Sequence, residues 1–239
     1  MISPRTAYRV SLVGALLVLA LAVSGATQKK APVCGNLAAN YEPIIAFELS
    51  RSVSDLHAIF GDSAGACRTA IAQQMDAINR GDSAFFIPAY GAFLIFFFLG
   101  LRARDHRLAT LAIRITFLAC AADYVENTCL FHLSVNPDVA SGWLSLLMWA
   151  TEVKWVGLGI ANAIGGYVLF MSHGGRWLYR AAIALCLISA GVALMSVPTP
   201  AVAGPYLSQA IVLGWIVFLL VDLRESFRRD LPAVELRVA

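Results

Sequence analysis

Long apolar runs broken by short polar stretches set the pattern of this chain. A bilayer's hydrocarbon core is about 30 Å thick, so a crossing helix needs about 20 mostly apolar residues. Five runs meet that length, at 83–101, 108–131, 142–171, 177–197 and 206–221. A sixth, 8–26, is borderline. Its apolar stretch 12–23 follows Arg5 and Arg9 and closes on Ser24-Gly25-Ala26, so it reads equally as a secretory signal with a small-x-small cleavage site. The pattern therefore predicts an all-α, polytopic membrane bundle of five or six spans. Punctuation agrees: Asp82-Ser83 reads as the N-cap of the second run, and Asn136-Pro137, Gly174-Gly175 and the Pro198, Pro200 and Pro205 cluster mark turns. Four parts follow: 1–26 as first span or signal, 27–82 as a polar interlude, 83–223 as a five-helix bundle, and 224–239 as a tail.

The interlude patterns as a small helical cap. Pro43 opens a helix carrying Ile44, Ile45, Phe47 and Leu49. Ser52 or Ser54 caps a second, which ends at Gly61. A third starts after Asp62-Ser63 and runs to Arg80, with Gly81 as its stop. Cys67, Ile71, Met75 and Ile78 share one face of it, which places Cys67 toward the buried side. Cys34 and Cys67 are expected to pair, closing a loop of about 34 residues that chain entropy values at about 3–4 kcal/mol.

Composition sharpens the class. Hydrophobic residues make up 59% and charged residues 14%, with mean hydropathy +0.72; soluble domains usually have about 45–50% and about 25%. A soluble enzyme, a disordered chain and a nucleic-acid binder are excluded. The net charge of +3 is distributed by membrane side. Arg5 and Arg9, the 102–107 turn, Arg176, Arg180 and the tail from Arg224 share one side. The turns around Pro137 and Pro200 carry no Lys or Arg, and the other side's cations all lie in 27–82. The positive-inside rule then expects both termini in the cytoplasm and the cap outside it, in the cell membrane.

Ionisable groups at membrane depth are costly and are candidates for function. Thr116, Cys120, Asp123, Glu126 and Asn127 form a polar stripe on one face of the third run. In the fourth, Lys154 shares a face with Gly157, Ala161 and Gly165, small residues that let helices approach closely. Glu152 points elsewhere, and Asn162 flanks the small-residue face. Arg114 reads as snorkelling to headgroups. Tyr90 reads as an interfacial aromatic within reach of the same layer. Asp123 and Lys154 come to similar depths, so pairing of Lys154 with Asp123 or Glu126 is expected. Such a pair either locks helix register or forms an outward-facing polar site for a small polar ligand, a lipid headgroup or a proton.

No zinc spacing, P-loop, nucleophile elbow or dinucleotide fingerprint is present, and neither metal nor cofactor is expected. Expected partners are membrane lipid, a small polar ligand and a protein docking on the cap through Ile44, Phe47 and Phe60, with no nucleic acid. Two rival expectations stand beside this: a lipid-acting membrane enzyme, with Asp123 or Glu126 as acid/base and His57 or His132 beside it, and a non-catalytic interaction or assembly subunit whose buried charges are structural.

Overall fold

The computed structural model describes residues 2–27, 31–138, 142–172 and 177–227. The Gly174-Gly175 turn, Lys29, Lys30, His173, Arg176 and the tail beyond Phe227 lie outside them. Nine α-helices are described: α1 (Pro4–Thr27), α2 (Pro43–Glu48), α3 (Val53–Phe60), α4 (Ala66–Gly81), α5 (Ile87–Leu101), α6 (His106–Val135), α7 (Gly142–Ser172), α8 (Trp177–Ser196) and α9 (Pro200–Phe227). Six helical segments are long and apolar enough to cross a membrane: α1, the continuous Ala66–Leu101 helix, and α6 to α9. The protein is an all-α polytopic bundle.

Those six close into a ring. α1 lies between α5 and α9, α5 packs on α6, and α6, α7, α8 and α9 follow in order. Phe93, Phe97, Phe98 and Phe218 fill the middle, with Phe97 stacked on Phe218 at 4.1 Å. Close approach depends on missing side chains. A Cβ at Gly14 of α1 would sit 2.8 Å from the backbone nitrogen of Phe93, so that contact admits only glycine. Outward positions such as Leu16, Leu17, Leu118, Leu187 and Leu194 stay exposed, an apolar belt that suits lipid rather than water.

The α2–α4 segments form a lobe on one end of the ring. Pro43 opens α2 with its preset φ. Ser52 and Asp55 make a reciprocal capping box on α3. Phe47, Leu56, Phe60, Ile71 and Met75 pack with Cys129, Leu130 and Leu133 of α6 and Leu144 and Leu147 of α7. Phe47 and Phe60 are fully buried, each worth about 1.5–3 kcal/mol over the exposed state. The expected exposed patch of Ile44, Phe47 and Phe60 is therefore absent: Ile44 is half-buried and the two rings are spent on the lobe's own core. Cys34 and Cys67 are joined as expected, with Cα atoms 5.9 Å apart. Cys67 itself is exposed, not inward, because the bond reaches Cys34 over the surface.

Two expected breaks are overturned. Gly81 does not stop α4, and Asp82-Ser83 does not cap α5: the helix runs on through a wide π turn, Asp82–Phe86. Pro88 has no N–H, and its ring crowds the carbonyl four residues back. A locally widened turn absorbs both defects without breaking the helix. Likewise Pro205 lies inside the first turns of α9, which begins at Pro200.

Candidate functional site

Lys154 of α7 is 4% exposed and its Nζ meets three carboxylates. Glu48 Oε2 is at 3.0 Å and Asp123 Oδ1 at 3.2 Å, and Glu126 Oε1 also accepts from it. The acids come from two directions. Asp123 and Glu126 are three apart on α6, so they project side by side. Glu48 is the last residue of α2 and reaches in from the lobe. The small-residue face of α7 is what lets α6 come this close: a Cβ at Gly157 would stand 3.3 Å from Ala119 of α6.

A shell of donors orients the acids. Tyr90 of α5 donates from its hydroxyl to Asp123 Oδ2 at 2.7 Å. Trp155 Nε1 donates to Glu48 Oε2 at 3.1 Å, and its ring lies 4.6 Å from Lys154 Nζ, close enough for a cation–π contact. Thr151 donates to the backbone carbonyl of Glu48 at 3.0 Å, fixing the end of α2 over the cluster. Asn127 extends the layer by donating to Asp82 Oδ2 at 2.6 Å and to Ser83 Oγ at 3.0 Å. That places the π turn of the second span against α6. Glu126 Oε2 is buried and has no hydrogen-bond partner among the described residues.

The charges do not balance. An ammonium has three N–H donors, and here each finds a carboxylate. Three ionised acids and one ammonium leave a net charge of −2 in a site whose members are 0–8% exposed. An isolated buried charge neutralises by taking up a proton rather than remain ionised. Burial drives the Glu48 carboxyl above the usual carboxylate range; Lys154 pulls it back, and neighbouring Asp123 pushes it up again.

The expected residues distribute as follows. Asp123, Glu126 and Lys154 meet, and Asn127 borders them. Tyr90 is not an interfacial aromatic: it is 1% exposed and bound to Asp123, because Pro88 and the π turn rotate it inward. Thr116 is buried but spends its hydroxyl on the Ala112 carbonyl of its own helix. Glu152 pairs instead with Arg51 of the lobe at 3.0 Å. Asn162 ties α7 to α8 and α9, donating to Ser189 Oγ at 2.7 Å and to the Ile211 carbonyl at 3.2 Å. The histidines proposed for an enzyme lie elsewhere. His57 sits between Asp138 at 2.7 Å and Asp62 at 3.2 Å, and His132 stacks on Trp143 at 4.0 Å. Arg68 also holds Asp138, at 2.6 Å, and these hydrogen bonds keep that carboxyl below the usual range. Sequence reasoning misses Glu48. The signal was a lone acid inside the apolar run Ile44–Leu49, the same oddity that marked the spanning charges, but in a segment read as separate from the membrane site.

A groove of about 120 Å³ runs beside α2, lined by Leu37, Tyr41, Leu49, Arg51 and Pro200 among others; none of the four cluster residues lines it. No family model, curated protein or solved structure matches the chain.

Proposed function

We propose that the Lys154 cluster is a proton-binding site of a multi-pass cell-membrane protein that transports protons, and that α2 is the lid between it and the outer face. The observation that carries this reading is one buried ammonium facing three buried carboxylates from two separate segments. Excess acid in a closed, low-dielectric site favours held protons, and losing or gaining one changes the grip on Glu48 and so on α2. Protons fit better than a small polar ligand or a lipid headgroup, since all three donors of Lys154 are already in use. Arginine-rich ends on the side of Arg102 and Arg224 favour that side as cytoplasmic. The Cys34–Cys67 bond favours an oxidising, external setting for the lobe.

A second reading has its own support: the cluster ties α2, α6 and α7 together with Trp155 and Thr151, as a static lock would. Purified protein in vesicles containing a pH-sensitive dye separates the two. Under the proton reading, wild-type protein collapses an imposed pH gradient, and Asp123→Asn and Glu126→Gln each slow that at least tenfold while eluting as folded protein. Wild-type vesicles no leakier than empty ones would instead favour the lock.

A further inference from the structure

A second acid is buried on the far side of the aromatic layer. Asp222 of α9 is fully buried, and among the described residues no Lys or Arg nitrogen lies within salt-bridge distance of it. Among the described residues its one hydrogen-bond contact is with Ser11 of α1, whose single hydroxyl proton has two acceptors in reach, Oδ2 at 2.5 Å and the Phe93 carbonyl of α5 at 2.8 Å; where the carbonyl takes it, the Asp222–Ser11 contact needs a proton on the acid. Among the described residues Asp222 Oδ1 has no hydrogen-bond partner. One turn further along α9, the hydroxyl of Ser226 is also buried and unpartnered. The surrounding charges are engaged elsewhere. Arg9 of α1 donates to the Ser226 carbonyl at 3.4 Å, Arg104 before α6 pairs with Glu225 at 3.2 Å, and Arg224 binds the Tyr179 hydroxyl of α8. Tyr8 of α1 is the remaining titratable group near it.

We propose that Asp222, gripped by Ser11 where α1, α5 and α9 meet, is a second proton-binding site, separated from the Lys154 cluster by the Tyr90–Trp215–Phe93 aromatic layer. Tyr90, bonded to Asp123, stacks on Trp215 at 5.6 Å, and Phe93 meets the same indole edge-on at 6.0 Å. The backbone carbonyl of Phe93 lies 2.8 Å from the Ser11 hydroxyl. Trp215 and Asp222 are seven residues apart on α9, about 10 Å of rise. A carboxylate left with one hydroxyl donor and an empty second oxygen is poorly supported when ionised, so the neutral acid is favoured. Transfer between the two acids rests on the proton reading of the Lys154 cluster; protonation of Asp222 does not.

The test is melting temperature against pH for wild type, Asp222→Asn and Ser11→Ala, in sodium chloride and in choline chloride. A neutral buried acid makes the folded state bind more protons than the unfolded one, so stability falls as pH rises. Wild type is expected to lose melting temperature as pH rises above the ordinary carboxylate range. Asp222→Asn loses less, so the gap between the two curves changes steadily with pH. Ser11→Ala declines more steeply than wild type, because the ionised form has lost its donor; this arm stands even where the asparagine variant does not fold. Parallel curves for wild type and Ser11→Ala overturn the proposal. So does a rise specific to sodium that Asp222→Asn abolishes, which would make the site a metal-cation site. The same curves in an Asp123→Asn background keep the two sites distinguishable: an intact Asp222 effect with no proton flux sinks only the transport reading.

Discussion

Lys154 spends every donor it has on a carboxylate, and that determines what substitution does here. Lys154→Met leaves acids buried without their cation. Removing one partner of a buried pair costs about 3–5 kcal/mol, and a loss of that size is expected by chemical denaturation in detergent. Asp123→Asn or Glu126→Gln removes excess negative charge and keeps the shape, so the expected cost is about 1 kcal/mol or less. If each amide costs as much as Lys154→Met, the acids are all ionised and the proton reading fails. At this scale the sequence was partly legible. Asp123, Glu126 and Lys154 stood out because ionised groups are rare in apolar runs. Tyr90 was placed within reach of the layer but read as an interfacial aromatic; its burial against Asp123 depends on how the second span turns after its π turn, which residue spacing does not show. Asp222 was overlooked because it sits near the polar end of its run, where an acid looks solvated.

At the scale of elements, α2 is the part whose placement depends on protonation. Facing Glu48 are Lys154 of α7 and Asp123 and Glu126 of α6, with Tyr41, Arg51 and Asp55 on its own lobe. The Glu48 carboxyl is raised by burial, so its folded pKa exceeds the unfolded one. Docking of α2 is then strongest below the ordinary carboxylate range and weakens as pH rises toward the folded pKa. Hydrogen exchange across 43–60 is expected to quicken from pH 5 to pH 8 beyond the intrinsic rate, and Glu48→Gln should flatten that trend. Uniform protection at both pH values would contradict it. The lobe's helices and a serine cap on α3 were readable from local chemistry, though not that Ser52 rather than Ser54 caps it with Asp55 answering, and the Cys34–Cys67 pair followed from two cysteines in one small lobe. The unbroken α4–α5 helix was not, because Gly81 and Asp82 are ordinary stop signals that tertiary packing overrode.

For the whole molecule, five of the six apolar helices follow from run length and hydropathy; α1 was a borderline run, and the ring order comes from packing that run lengths do not encode. What sequence did not reveal is that the lobe completes the site by sending Glu48 into it. The arginine distribution sets an expectation for sidedness: with a membrane-impermeant maleimide on intact cells, Ser54→Cys is expected to label and Ala103→Cys to stay unlabelled. The reverse pattern would turn the lobe toward the cytoplasm. The central claim is that the cluster holds protons at neutral pH, and infrared difference spectroscopy of the carboxylic-acid stretch reads that directly. Wild type at pH 7 should show a protonated carboxyl band that is lost in the combined Asp123→Asn, Glu126→Gln and Glu48→Gln variant and persists in Asp222→Asn. A wild-type spectrum identical to that of the triple variant would mean three ionised acids around one amine, and the account would be wrong.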